Sequence, residues 1–367
     1  MNITANDLSS GLQKKETIVW GAGFPAIARY EEGLPERPLI LFLPGGGNLA
    51  RIAYGHDGSD RSDFLLHWLQ EAGYPTLALS YPSNHPAFGA ARYPDMNIRD
   101  WARSSAEIVA GFINRGNLPP NFIAIGWSLA GRVVNNLLKA SKTHGLHLTS
   151  FIGLAAVAPM PGLGVLAPAD VRLSADGLWN ASALEGPVAR GRDIELSIIN
   201  SINGRVVISP DEYRREYAVD TPLNLRGEPL RSRGGEIVED AGEAVTDQGF
   251  YDFAHHPLTS TIVGTDQEDS RHVLAAGATW GFLNAQSLYL RQIQPRADKS
   301  RISDDNWDRI RHLMASIPTR LTRHVKGAHF FFVGRKGAEA TAQLIEELIL
   351  EMRGIRTEMA SYLSVGQ

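Results

Sequence analysis

The sequence predicts an α/β protein: a doubly wound, mostly parallel sheet interrupted once by a long insertion. Three observations carry this. Short runs that are apolar throughout alternate with amphipathic, helix-length stretches, the pattern of parallel strands covered on both faces. The alternation stops near Pro159, and from Met160 to Pro257 the text is rich in Gly, Pro, Arg and Asp. It then resumes at Leu258 and reaches a closing helix. The predicted organisation is a core over 17–159, an inserted cap over 160–257, and a second core part over 258–352.

In order, residues 17–20 and 26–30 read as two short strands around a glycine turn. Residues 39–43, Leu-Ile-Leu-Phe-Leu, form a buried strand ended by Pro44 and three glycines. A helix over 64–72 stops at Gly73, and a strand follows at 76–80. A helix over 98–114 presents Trp101, Ile108, Phe112 and Ile113 to the core. A strand at 122–125, a helix carrying Val133, Val134, Leu137 and Leu138, and a strand over 151–157 complete the first part. After the insertion come a strand at 258–263, helical text around 275–294 and 306–314, a last strand at 320–325, and a helix over 338–352.

Composition narrows the function. Of 367 residues, 43% are hydrophobic and 21% charged, enough for a large core and unlike a disordered chain. Lys and Arg total 36 against 40 acidic residues, a net charge of −4 that argues against a nucleic-acid partner. No run approaches the roughly 20 apolar residues of a membrane span, and the polar start Met1-Asn2-Ile3-Thr4 does not read as a signal peptide. Cysteine is absent, which excludes disulfides, thiolate metal sites and cysteine nucleophiles and is compatible with a reducing cytoplasm.

Three segments carry chemistry. The first, Ile123-Ala124-Ile125-Gly126-Trp127-Ser128-Leu129-Ala130-Gly131, runs from strand to helix with small residues around a serine. Such a turn strains the serine backbone, exposes its hydroxyl at the carboxyl edge of the sheet, and aims the Leu129 amide at a developing oxyanion. The second glycine usually falls two residues after the serine; Ala130 holds that place here, and Gly131 follows. Trp127 is expected to pack beneath the turn. The second segment, Gly45-Gly46-Gly47-Asn48, frees backbone amides at the end of a buried strand. In the third, a final strand is followed by Gly327, Ala328 and His329, where a general base would sit. Of the eleven histidines, only His329 follows its strand through a small-residue turn; His255, His256 and His272 flank the other late strand.

The order serine, acid, histidine on these motifs resembles the α/β-hydrolases over about 17–160 and 255–352, with the segment between matching the variable cap. The glycine loop resembles the tri-glycine oxyanion class of many carboxylesterases. The resemblance implies Ser128 as nucleophile, His329 as base, and an oxyanion hole from the amides of Leu129, Gly45, Gly46 and Gly47. It places the acid after the strand at 258–263, where Asp266, Glu268 and Asp269 compete. The usual spacing falls on Gln267; Asp266, closer to the expected reach, is preferred, Asp269 is second because it could instead cap the next helix, and Glu268 is third.

The implied activity is a cofactor-free, metal-free serine hydrolase of a carboxylic ester or lactone, soluble and cytoplasmic. Its substrate is expected to be medium-sized and apolar or aromatic, with Trp127 and Asn48 touching it and Leu178, Trp179, Tyr213, Tyr217, Phe250 and Tyr251 as further lining candidates. Two alternatives keep the fold: carbon–carbon cleavage or elimination, or a catalytically silent ligand-binding protein. A dinucleotide enzyme is disfavoured. Gly21-Ala22-Gly23-Phe24-Pro25-Ala26 resembles its fingerprint, but Pro25 sits in the turn, a strand follows instead of a helix, and the acidic partner is missing. The pairs His255–His256 and His144–His147 are expected to be solvated rather than metal-binding.

Overall fold

A computed structural model describes residues 11–164, 168–183, 186–296 and 302–364. Eight strands form the main sheet: β1 (Glu16–Gly21), β2 (Phe24–Glu31), β3 (Leu39–Leu43), β4 (Thr76–Ser80), β5 (Asn121–Trp127), β6 (His147–Leu154), β9 (Thr259–Val263) and β10 (Thr322–His324). Their order is β1-β2-β4-β3-β5-β6-β9-β10. β1 and β2 pair antiparallel, β2 joins β4 antiparallel, and every later pairing is parallel. Ala22 (φ 49°) and Gly23 (φ 84°) form the tight turn of the β1–β2 hairpin, a two-residue geometry that needs positive φ. The glycine pattern there is hairpin chemistry and leads into no helix.

Alternation along β3 shows how the layers form. Ile40 and Phe42 face one core with α1 (Leu65–Glu71), α8 (Asp304–Arg320) and α9 (Arg335–Leu363). Leu39, Leu41 and Leu43 face the other with α2 (Ile98–Gly116), α3 (Val134–Thr143) and α7 (Ser270–Leu288). All five β3 side chains are buried, which is why the strand reads as unbroken apolar text. At the start of α2, Asn97 and Asp100 form a reciprocal capping box. Boundaries shift where a local conformation overrides pattern. The strand predicted over 151–157 ends at Leu154 because Ala155 turns to φ 39°, and the last strand starts only at Thr322 because α8 continues through Arg320.

Between β6 and β9 the described chain forms α4 (Pro187–Asn203), α5 (Pro210–Glu216), a hairpin of β7 (Leu230–Arg233) and β8 (Glu236–Glu239), and α6 (Ala241–Gln248). A buried ion pair ties this stretch to the core. Arg132, four residues after Ser128 and 1% exposed, donates to Glu228, to the Met160 carbonyl and to the Gln248 side chain. Burial pushes the guanidinium down to about 10, against the pull of Glu228. The Glu228 carboxylate also accepts the amides of Gly162 and Gly164, each at 2.8 Å.

Removing one member of such a pair strands a charge in a dry site. Glu228→Ala is expected to lower unfolding free energy by about 3–5 kcal/mol, measured as a fall in the urea midpoint. An unchanged midpoint would show that this contact does not hold the insertion to the core.

Candidate active site

β5 delivers Ser128 to the carboxyl edge of the sheet, and a 3₁₀ turn, Ser128–Val133, precedes α3. Ser128 has φ 52°, a left-handed conformation that costs a residue with a Cβ about 1–2 kcal/mol. The surroundings enforce it. The Ser128 carbonyl accepts the Val157 amide at 2.8 Å, and a Cβ on Gly131 would stand 2.3 Å from the Val157 carbonyl oxygen. The close approach that demands glycine is therefore at Gly131, and Ala130 fits fully buried where the commoner pattern has glycine.

His329 lies in the loop after β10. Trp127, 1% exposed, donates its indole N–H to the His329 carbonyl at 3.2 Å, and the two rings lie 5.3 Å apart. Trp127 thus links the strand under the serine to the histidine loop, and it also lines the cavity they share.

The acid-bearing loop meets the same segment. The amides of Thr265 and Asp266 both donate to the Gly327 carbonyl, at 2.8 and 3.0 Å. Asp269 Oδ2 then accepts from His329 Nδ1 at 3.1 Å. The preference for Asp266 is corrected here. Its carboxylate accepts the Glu268 amide at 3.0 Å and caps the one-turn helix Gln267–Asp269. Asp269 occupies the N-cap position of α7 but makes no capping bond, which leaves its carboxylate for the imidazole. The two aspartates have exchanged their expected tasks, and Glu268 is exposed.

His272, assigned no role from sequence, is the second partner of Asp269. Its Nδ1 lies 2.6 Å from Asp269 Oδ1, and its ring stacks on His329 with centroids 5.0 Å apart. Arg271 Nη2 approaches His272 Nε2 at 3.1 Å. A guanidinium can only donate, so Nε2 accepts and the proton of neutral His272 sits on Nδ1, facing the carboxylate. Burial pushes His272 down to about 4 despite that hydrogen bond. Burial also opposes the charge on Asp269, yet the two imidazoles outweigh it and hold the carboxyl well below its usual range. His329 shows the complement: burial lowers it, but Asp269 and then Glu195 raise it above the ordinary imidazole value. One atom each from Asp269, His272 and His329 falls within 4.8 Å, close enough for a cation. The Arg271 contact instead makes His272 Nδ1 a donor, whereas a metal ligand needs the lone pair. The spacing Asp269–His272, i and i+3 at a helix start, is the sequence signal that would have found this pair.

The glycine loop is held by a buried hydroxyl network. Tyr81 donates to the Gly45 carbonyl at 2.8 Å, and its oxygen lies 3.0 Å from Thr221 Oγ1. Thr221 Oγ1 accepts the Gly47 amide at 2.7 Å. Gly47 is therefore no free oxyanion donor, contrary to expectation; its amide is spent on fixing the loop. The amides of Gly45, Gly46 and Leu129 have no such partner among the described residues. A Cβ on Gly45 would lie 2.9 Å from Ser128 Cβ, so that glycine lets the loop close over the serine. Asn48 bridges the Gly46 carbonyl (2.9 Å) and the Tyr213 hydroxyl (2.5 Å).

Ser128 and His329 line one cavity of about 200 Å³ with Gly46, Asn48, Trp127 and Phe330. The Ser128 hydroxyl makes no hydrogen bond among the described residues. Of the inserted aromatics only Trp179 lines the cavity; Tyr213 and Tyr217 are buried in packing, and Tyr251 is 80% exposed. Arg192 and Glu195 of α4 line it instead, so the cavity is more polar than expected. Elsewhere, His256 is fully buried and bonded to Asn135 at 2.8 Å, contrary to the solvated role expected, while His255 pairs with Asp252 at 2.6 Å.

The mostly parallel sheet with a strained serine at the strand-to-helix turn defines the α/β-hydrolase fold. No protein-family model and no curated protein matches the chain. Among solved structures it is similar to a carboxylesterase from the ammonia-oxidizing thaumarchaeon Nitrososphaera gargenis, at 13% identity, 93% of this chain, 100% of that chain and TM-score 0.48. It is also similar to a thermophilic esterase from Thermogutta terrifontis (13%, 92% and 99%, TM-score 0.45). A third is the epoxide hydrolase VrEH1 from Vigna radiata (15%, 92% and 98%, TM-score 0.45). Among the described residues no helix is long and apolar enough to cross a membrane.

Two substitutions should move the His329 pKa in opposite directions by NMR titration. Asp269→Asn removes the negative charge that favours imidazolium and should lower it. His272→Leu frees the carboxylate from a competing donor and should raise it. Shifts of the same sign would rule out the shared-carboxylate arrangement.

Proposed function

We propose that the protein is a serine hydrolase of carboxylic esters or lactones. The observation that carries this is the cavity itself, which presents a left-handed Ser128 and a His329 whose far nitrogen is engaged by Asp269. His329 with its proton on Nδ1 keeps the Nε2 lone pair for the reaction. Ser128 Oγ attacks the carbonyl carbon while Nε2 takes its proton, and the carbonyl electron pair moves onto oxygen. The amides of Leu129 and of Gly45 or Gly46 stabilise that oxyanion. Collapse of the intermediate expels the alcohol, which receives the proton from His329. Water repeats the sequence on the acyl-serine and releases the acid. Asp269 remains ionised throughout, orienting the ring and balancing its charge.

The 160–257 segment acts in this reading as the cap, since Trp179, Arg192 and Glu195 from it complete the cavity. Its volume favours a compact substrate over the medium-sized aromatic one the sequence suggests. Thr221, from the same segment, sets the oxyanion loop through Gly47, so the cap would contribute to catalysis as well as to selection.

Ser128→Ala should lose at least about 1000-fold in turnover of p-nitrophenyl esters, and covalent capture by a fluorophosphonate should disappear with it. Undiminished turnover in that variant would remove the mechanism; a wild type inert to both reagents would favour a silent ligand-binding protein. His329 must be neutral to accept the proton. Because its pKa is raised, kcat/KM should fall on the acid side with an apparent pKa above about 6.5. An acid limb below the ordinary imidazole value would contradict the Asp269 assignment.

A further inference from the structure

Two charged side chains in the cavity serve no step of the reaction above. Arg192 and Glu195 stand three residues apart on α4 and both line the space shared by Ser128 and His329, as one face of a helix allows. Among the described residues, no carboxylate comes within ion-pair distance of Arg192 and no donor reaches the Glu195 carboxyl. Their surroundings show how uncommon this is here. Asp193, between them, is taken by Arg214 at 2.9 Å. The Arg192 guanidinium lies beside the glycine loop, where a Cβ on Gly47 would come within 2.4 Å of Nη2, and 5.9 Å from the Tyr213 ring.

Chemistry decides the sign of the site. Arginine keeps its charge at any working pH. A carboxyl can neutralise, and Glu195 is moved that way: burial raises it first, His329 and Arg192 lower it, Asp269 and Glu268 raise it, and the balance is about 7. Asp269 pairs with His329 and does not line the cavity. Of the two groups that α4 presents there, Arg192 stays charged while Glu195 is partly neutralised around neutrality, so this face is net positive, and protonated Glu195 adds a donor. A carboxylate would find the planar fork it pairs with best, while an ammonium would meet Arg192 head-on.

We propose that the cavity selects substrates carrying a carboxylate near the scissile bond, such as half-esters of short dicarboxylic acids, with Arg192 binding that carboxylate and Glu195 flanking it. The cavity of about 200 Å³ suits so short an acyl chain. This rests on Ser128 being the nucleophile, so the test separates binding from turnover.

Binding is measured by calorimetry with three non-hydrolysable amides: N-butylsuccinamate, the neutral N-butylpentanamide and the cationic N-butyl-4-aminobutanamide. Turnover is measured with p-nitrophenyl hemisuccinate and p-nitrophenyl pentanoate. Wild type should bind the succinamate at least about tenfold tighter than the neutral amide, and kcat/KM should favour the hemisuccinate. Arg192→Met should abolish the preference in both readouts; Arg192→Lys, which keeps charge without the fork, should retain part of it. As pH rises through about 7, ionising Glu195 should weaken the preference more in wild type than in Glu195→Gln, where His329 is the cavity group that still loses its charge. Equal binding of the three amides, tighter binding of the amine, or an unmoved preference in Arg192→Met would overturn the proposal. Turnover of both esters without charge selection sinks this inference alone. Charge-selective binding with neither ester cleaved sinks the hydrolase reading and leaves the anion site standing.

Discussion

The site is organised around one buried carboxylate. Asp269 is 8% exposed and accepts from two imidazoles, one on each oxygen. A charge taken out of water survives only if its lone pairs are matched, and here His272 and His329 match them. That requirement fixes both rings, stacks one on the other, and settles which nitrogen of each carries the proton. His272 is held in turn by Arg271, so a cation at the rim of the network sets the tautomer of a ring that does not line the cavity. The raised basicity of His329 follows from the same arrangement.

Positioning that carboxylate is a matter of backbone. Gly264 and Gly327 approach so closely that a Cβ on the former would lie 2.3 Å from the carbonyl oxygen of the latter. That oxygen takes the two amides that begin the acid loop. The loops after β9 and β10, adjacent parallel strands, are thereby locked as one unit. On the other side of the cavity the glycine loop is locked by Tyr81 and Thr221. Burial pushes the Tyr81 hydroxyl up to about 12, so it remains a neutral donor to Gly45. The serine, between the two locked loops, carries the strained backbone.

The inserted segment joins these parts. It supplies Thr221 to the glycine loop, Glu228 to Arg132 behind the Ser128 turn, and Trp179, Arg192 and Glu195 to the cavity. Irregular text rich in glycine and arginine is what such a role leaves in a sequence: the contacts are long-range and polar, and they impose no period.

Local amino-acid pattern carries whatever depends on neighbours along the chain. Buried parallel strands such as β3 must be apolar at every position, amphipathic helices must show their stripe, and a strained serine needs small residues beside it, so fold class and Ser128 were legible. His329 was legible too, as the histidine beyond a small-residue turn. Tertiary structure decided everything that depends on direction in space. Asp266 and Asp269 are chemically alike and three residues apart, and only the one-turn helix between them determines which carboxylate reaches His329. Gly47 looks like its two neighbours until Thr221, 174 residues away, takes its amide. Arg192 and Glu195 are unremarkable helix residues until α4 is laid over the sheet edge. Hydrophobic periodicity records burial, a property of one residue; the aim of a hydrogen bond belongs to two, and no local pattern contains it.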